Sequence, residues 1–314
     1  MRAQIEAIIN ELKHLKAEGV ADIYVETASL VQLKAAAQEL AGASSVVLPV
    51  TEPDQHRPKP APAERPFIDI SQPAVMPAKS EKKSKKNQKY VTAPIPEPPA
   101  ITLPEGDKAS QWAWLQKRVL DCPVCNAHVR TERGKKVVFG VGNLNADIFF
   151  CGEAPGAEEE MQGEPFVGPA GQLLTKIIKA MGLAREDVYI GNIMNWRPEM
   201  PTEYGNRKPY PEEMAFCLPY LQAQLEIVRP KVIVALGATA VDGLLGVDPK
   251  RRMGQVRGQW QAFAGRPLMI TFHPSYLLRN NTLRTKRMVW EDMLLVMEKL
   301  VMPISDKQRS YFLQ

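Results

Sequence analysis

Lys231-Val232-Ile233-Val234-Ala235-Leu236, then Gly237, then Ala238 to Leu245 (ATAVDGLL), is the stretch on which the fold reading turns. After its first lysine the opening segment is wholly apolar, too short for a free-standing helix, and rich in Val and Ile. That is the pattern of a strand covered on both faces. Glycine and a helix-length apolar stretch follow, giving strand, turn and helix. The same unit recurs outward. Strands are predicted at Asp147 to Cys151, Val188 to Asn192 and Leu268 to Phe272, with a further short one at Val137 to Phe139. Helices are predicted at Trp112 to Leu120, Gly171 to Met181, Pro211 to Val228 and Arg284 to Leu300. Strands alternating with helices predict an α/β domain with a central, mostly parallel four-stranded sheet flanked by helices. In such sheets ligands bind outside the carboxyl ends of the strands.

This domain does not fill the chain of 314 residues. All five Trp and 17 of the 20 Gly follow residue 108, whereas 13 of the 27 Pro lie between Pro49 and Pro104. The Pro-rich stretch also carries six Lys between Lys79 and Lys89, and it has too little apolar area to offset its ordering entropy. We read residues 46–108 as a disordered linker whose lysines are a solvated spacer. Before it, Ile5, Ile8, Ile9, Leu12 and Leu15 recur at helical spacing up to Gly19, and Leu30 to Leu40 makes a second helical stretch. Residues 1–45 are therefore a small helical extension, 109–302 the main domain and 303–314 a tail.

An apolar fraction of 45% and a charged fraction of 24% exclude a collagen, a disulfide scaffold and a wholly disordered chain. No apolar run approaches bilayer length, and an amphipathic segment follows Met1, so a cytoplasmic chain with no membrane partner is expected. Four cysteines in such a compartment suggest metal or core roles. The net charge of +5 conceals an uneven distribution. Between Pro249 and Val289 stand nine basic residues, Arg257 and Arg279 among them, and no acidic one, as expected of a phosphate-binding surface.

Three loops leave predicted strand ends with unusual residues. The first, Gly152 to Gly168 (GEAPGAEEEMQGEPFVG), has glycines that allow close backbone approach but no Walker or dinucleotide pattern. Its Phe166 is either a core plug or a stacking surface for a base. The second begins at Asn192, whose amide offers both a donor and an acceptor to a base edge, although a turn role is the commoner use of Asn. The third, Thr271 to Arg279 (TFHPSYLLR), carries His273, which alone of the four His follows a predicted core strand. That placement makes it a catalytic candidate.

Taken together these segments resemble the uracil-DNA glycosylase superfamily, and most closely its type-4 iron–sulfur branch. The resemblance is carried by Gly152-Glu153-Ala154-Pro155-Gly156, Pro165-Phe166-Val167-Gly168, Asn192, Gly205-Asn206-Arg207, Cys217-Leu218-Pro219-Tyr220-Leu221 and His273-Pro274-Ser275-Tyr276-Leu277-Leu278-Arg279, in family order across roughly residues 112–300. It implies an enzyme that flips uracil out of DNA, hydrolyses its N-glycosidic bond and leaves an abasic site in base-excision repair. Phe166 would stack on the base, Asn192 would read its N3 and O4 edge, and the Gly152, Glu153 and Ala154 backbone would contact the ring. His273 would stabilise charge on the leaving base, and Glu153 would stand beside the attacking water. Ser275, Leu277, Leu278, Arg279 and Arg257 would contact DNA, with the two leucines as the wedge. A nucleoid-associated monomer acting on uracil-containing DNA is expected.

The resemblance also implies a 4Fe-4S cluster on four thiolates. Cys122, Cys125 and Cys217 match, but the remaining position, four residues after Asn192, is Trp196, which cannot ligate iron. His128 is a surrogate to be weighed, Cys151 reads as a core residue, and a three-thiolate cluster or none are the remaining readings; the three matching cysteines favour retention. The alternative function is a protein of the same fold that binds uracil or damaged DNA without excision. A covalent DNA-trapping mechanism is argued against, because no His lies between Asn192 and Cys217. Finally, Gln308-Arg309-Ser310-Tyr311-Phe312 resembles a sliding-clamp peptide presented on an exposed tail, set against an ordinary frayed terminus.

Overall fold

The computed structural model describes residues 94–129, 134–198 and 206–313. The N-terminal helical stripes, most of the Pro- and Lys-rich linker and Gly205 lie outside the described residues. In chain order the elements are α1 (Lys108–Leu120), α2 (Pro123–Ala127), β1 (Val141–Gly142), β2 (Ile148–Gly152), α3 (Ala157–Gln162), α4 (Pro169–Ala180), β3 (Tyr189–Asn192), α5 (Pro211–Val228), β4 (Val232–Leu236) and α6 (Ala238–Leu245). They continue with α7 (Met253–Val256), β5 (Trp260–Phe263), β6 (Arg266–Thr271), α8 (Pro274–Arg279), α9 (Leu283–Lys299) and α10 (Asp306–Arg309).

The sheet runs β1-β3-β2-β4-β6-β5. Its four central strands are parallel, as the alternation of strands and helices predicts, and β1 and β5 add antiparallel edges, making six strands in place of the expected four. The expected strand at Val137 to Phe139 is buried extended chain outside the ladder, where the Val138 amide donates to the Asn195 carbonyl at 2.8 Å. Along the central strands the side chains alternate between two cores. Phe149, Cys151, Ile233, Ala235, Leu268 and Ile270 face the core that holds α1 and α5 residues, whereas Ile148, Phe150, Val232, Val234 and Met269 face the core that holds α4 and α9 residues. This two-residue period explains why the strands read as unbroken apolar runs: each face is covered.

Register fixes the site. Gly152 pairs with Asn192 at the carboxyl ends of β2 and β3, and Leu236 pairs with Thr271 at those of β4 and β6. Four loops therefore open at one edge of the sheet. On the core facing α5, a buried polar chain links the layers: Trp112 Nε1 donates to the Tyr189 hydroxyl at 2.8 Å, which in turn bonds Gln224 Oε1 at 3.1 Å.

Both expected boundaries move. Ile95, Ile101 and Leu103, placed in the linker by composition, pack against the main core, so the domain begins before residue 108. The tail is docked as well. Gln308 Nε2 donates to the Ala180 carbonyl at 2.9 Å, Trp290 Nε1 donates to the Gln308 carbonyl at 2.6 Å, and the Tyr311 ring lies 5.3 Å from that of Trp290. Among the described residues no helix is long and apolar enough to cross a membrane.

Candidate active site

A cavity of about 790 Å³ opens at the carboxyl edge of the sheet, lined among others by Glu153, Phe166, Asn192, His273, Ser275 and Arg279. Every base-contacting side chain expected from the sequence reaches it. Asn192 ends β3 almost wholly buried, and its Oδ1 has no hydrogen-bond partner. A buried acceptor left in this way is costly unless something that enters the cavity bonds it. Gly152 stands against Asn192: a Cβ there would overlap both the Asn192 amide oxygen and the Phe166 ring. Glycine at this position keeps the space between ring and amide open.

Phe166 is held in the left-handed region at φ 55°, a conformation that costs a non-glycine residue about 1–3 kcal/mol. Glu159 secures it. This carboxylate, at the start of α3, accepts from the amides of Gly156 at 3.0 Å, Val167 at 3.1 Å and Gly168 at 2.9 Å, tying both arms of the loop together. Along the chain Glu159 is one of three consecutive Glu, and its position three residues after Gly156, the spacing of a capping box, is the signal that marks it out. Gly171, in the first turn of α4, lies against the Phe166 carbonyl with no room for a methyl group. Gly171→Ala is expected to lower stability by about 1–3 kcal/mol, the range for overpacking, as measured by urea denaturation. A cost below about 0.5 kcal/mol would mean that the Phe166 turn yields freely.

His273 follows β6 at the N-cap of α8. The Ser275 amide donates to its Nδ1 at 3.1 Å, and the Ser275 hydroxyl lies 2.8 Å from the same nitrogen. Nδ1 is thus an acceptor, so in the neutral ring the proton sits on Nε2. Burial, assisted by the Arg279 charge, pushes the imidazole pKa down to about 4. The group is a neutral N–H donor at physiological pH. Its ring lies 5.7 Å from that of Phe166. Gly237, at φ +90° after β4, packs so close to the His273 Cβ that any side chain there would push on it.

Glu153 lies on the loop after β2, and burial raises its carboxyl pKa, opposed by a hydrogen bond from Thr239 and the charge of Lys208. Thr239 is a second residue that sequence reading missed. A third feature is the buried Glu160–Arg197 ion pair at 2.8 Å, which Arg197 extends to Asn206 Oδ1 at 2.7 Å; Asn206 in turn donates to the Pro155 carbonyl. That bond joins the loop after β2 to the segment after β3.

The expected DNA contacts need two corrections. Leu277 is only 5% exposed, because α8 turns Pro274 and Leu277 inward together at helical spacing; Leu278, at 48%, and Tyr276, at 36%, face outward. Leu277 is therefore a packing residue. Arg257 bonds the fully buried Asp292, which also accepts from Thr271 Oγ1 at 2.6 Å, so its charge is taken up inside the domain. The acid-free basic stretch is accordingly less basic in three dimensions. Arg251 pairs with Asp242 at 2.8 Å and Arg287 with Glu291 at 2.9 Å, carboxylates that lie outside that stretch of sequence.

Cys122, Cys125 and Cys217 are buried in the core that holds α1 and α5 residues, and Trp196 is buried with them. Cys151 lies inside β2, as expected of a core residue.

A parallel sheet with a cavity at its carboxyl edge, lined by an amide, a neutral imidazole and an aromatic ring, defines a glycosylase of the uracil-DNA class. The family model described as "Uracil DNA glycosylase superfamily" matches residues 139–294. The chain is 46% identical over 182 residues to the "Type-4 uracil-DNA glycosylase" of Thermotoga maritima, covering 57% of this chain and 88% of that one. It is 48% identical over 126 residues to the protein of the same name from Archaeoglobus fulgidus (40% of this chain, 59% of that one) and 38% identical over 178 residues to that of Pyrobaculum aerophilum (54% and 86%). The chain belongs to the type-4 uracil-DNA glycosylase family.

The residues present do not fit the cluster that this family implies. Three thiols are available, the fourth position is an indole, and among the described residues no three or more Cys, His, Asp or Glu side chains form a metal-binding group.

Proposed function

We propose that this chain excises uracil from DNA by hydrolysis at the pocket formed by Glu153, Phe166, Asn192 and His273, within a single chain and without a partner subunit. The observation that carries the reading is that a buried, unpaired Asn192 Oδ1 and a neutral His273, its Nδ1 engaged by Ser275, line one cavity with the Phe166 ring. Uracil presents an N3–H donor next to the O4 acceptor, the complement of an amide, and presents O2 on its other side. The base must leave the stack to reach such a pocket, at a cost of a few kcal/mol.

In the reaction the C1′–N1 bond breaks and its electron pair stays with the base. Negative charge develops on the uracil ring and is met at O2 by the His273 N–H, a donor already in place and needing no proton transfer. Water adds its oxygen to C1′. The Glu153 carboxylate, whose proton affinity is raised by burial, takes the proton that this water loses. The uracil anion takes up a proton on release, Glu153 gives its proton back to solvent, and free uracil and an abasic site result.

On the DNA side, Leu278 and Tyr276 are the exposed apolar groups placed to fill the gap left by the base, with Ser275 and Arg279 at the rim. Tyr276 is braced by stacking on Phe272 at 4.5 Å. Leu278→Ala is expected to slow excision from duplex DNA about 10-fold, the value of roughly 1.4 kcal/mol of lost apolar contact, with a smaller effect on single strands, which need no gap filled. Equal loss on both substrates would remove Leu278 from the wedge. A sliding clamp is left out of the reading, because engagement through Gln308 to Phe312 would first require Gln308 to release the Ala180 carbonyl.

The test is single-turnover release of free uracil from a uracil-containing oligonucleotide in single- and double-stranded form. Release is expected from both. Tight binding of uracil-DNA by the folded protein without release would replace this reading with that of a damage-binding protein.

A further inference from the structure

We infer that the cluster site of this chain is an apolar aromatic plug, with Trp196 performing the structural task that iron and sulfide perform in a four-thiolate site. Trp196 is 1% exposed. Its indole lies parallel to the His128 imidazole, with centroids 5.0 Å apart and planes 13° from each other, and packs on the Phe216 ring at 6.2 Å. Phe216 meets Tyr220 edge-on at 6.1 Å, and the Tyr220 hydroxyl donates to Cys122 Sγ at 3.6 Å. An unbroken series of rings thus runs from the segment after α2, across the loop that follows β3, to α5 and back to the first cysteine of the Cys-x-x-Cys pair. These are the three segments that the thiolates of a cluster would join.

The buried indole leaves the fourth position of a cluster without a protein ligand. An indole carries no lone pair for iron. An iron left open by the protein would need a ligand from solvent, and the position is sealed at Trp196. The His128 ring is stacked on the same indole. Buried thiols without metal behave as small apolar groups, which is how Cys125 and Cys217 sit in this core. The inference concerns fold and cofactor content, so it stands or falls separately from the uracil reading.

The experiment is determination of iron and acid-labile sulfide in the full chain purified without oxygen, before and after incubation with ferrous iron, sulfide and thiol. The expected result is neither element above background at either stage, with no broad visible absorption from iron–sulfur charge transfer. Iron and sulfide in equimolar, multi-atom amounts in the wild-type chain would overturn the inference. Trp196→Cys, which completes the four-thiolate set, is expected to gain the absorption and both elements on reconstitution. Should that variant not fold, thermal melting separates the two cases: a plug predicts a larger fall in Tm for Trp196→Ala than for Cys122→Ala. A cluster predicts the reverse order, and that order would equally sink the idea.

Discussion

Replacing His273 with Ala is expected to slow single-turnover uracil release by about 10²- to 10³-fold, the usual cost of losing one preorganised donor to a developing anion. Affinity for uracil-DNA should change little, because the bond to O2 strengthens only as the glycosidic bond breaks. The pH profile provides a sharper check. With its pKa pushed down to about 4, the imidazole stays neutral from pH 5 to 8 and adds no inflection there. The rate should instead rise with pH as the Glu153 carboxyl, raised above its ordinary range, loses its proton, and then level off. His273→Ala should keep that acid limb at a lower plateau, and Glu153→Gln should abolish it. An inflection near the ordinary histidine value of 6.5 that vanishes in His273→Ala would show a cationic imidazole and defeat the mechanism. Stability follows the same linkage. As pH falls below 6.5 the unfolded chain binds a proton at His273 before the folded one does, so the native state loses stability from there down to about pH 4.

The second large effect is expected at Asn192. Removing its amide with Asn192→Ala should cost about 1–3 kcal/mol of transition-state binding, roughly 5- to 150-fold in rate, the range for a bidentate contact to a base edge. Discrimination should fall with it. Cytosine presents an acceptor at N3 and a donor at N4, the reverse of uracil, so an amide whose Oδ1 takes a proton from uracil N3 meets cytosine N3 as a second acceptor. The measurement is release from matched oligonucleotides carrying uracil or cytosine. A narrower ratio in the variant supports a reading role, whereas an equal proportional loss for both bases would make Asn192 a structural residue of the β3 end.

Much of the architecture is legible along the chain for one reason: each central strand is buried on both faces and each long helix on one, so burial writes itself into periodicity. The helices at Pro211–Val228 and Ala238–Leu245 begin and end where their apolar patterns do, even across Pro219. The edge strands did not show. β1 is two residues long, and β5 buries none of its residues fully, so neither makes a period that could be recognised. Asn192 and His273 were found because strand ends are marked by the residues that stop them. Leu277 and Leu278 are chemically identical neighbours, and only the turn of α8 against α4 makes one core and the other surface.

Composition and order of motifs by themselves determined the α/β class, the edge of the sheet at which the cavity opens, and several of the residues that line it, because those depend on local pattern and on strand direction. Tertiary structure alone decided which charges remain available and what holds the loops. Arg257 is taken up by Asp292, 35 positions away, Glu159 ties the Phe166 turn, and Trp196 is buried in the core that also holds the three cysteines. Each of these outcomes is a pairing made in three dimensions, and pairwise energies of that kind exist only once the chain has brought the partners together.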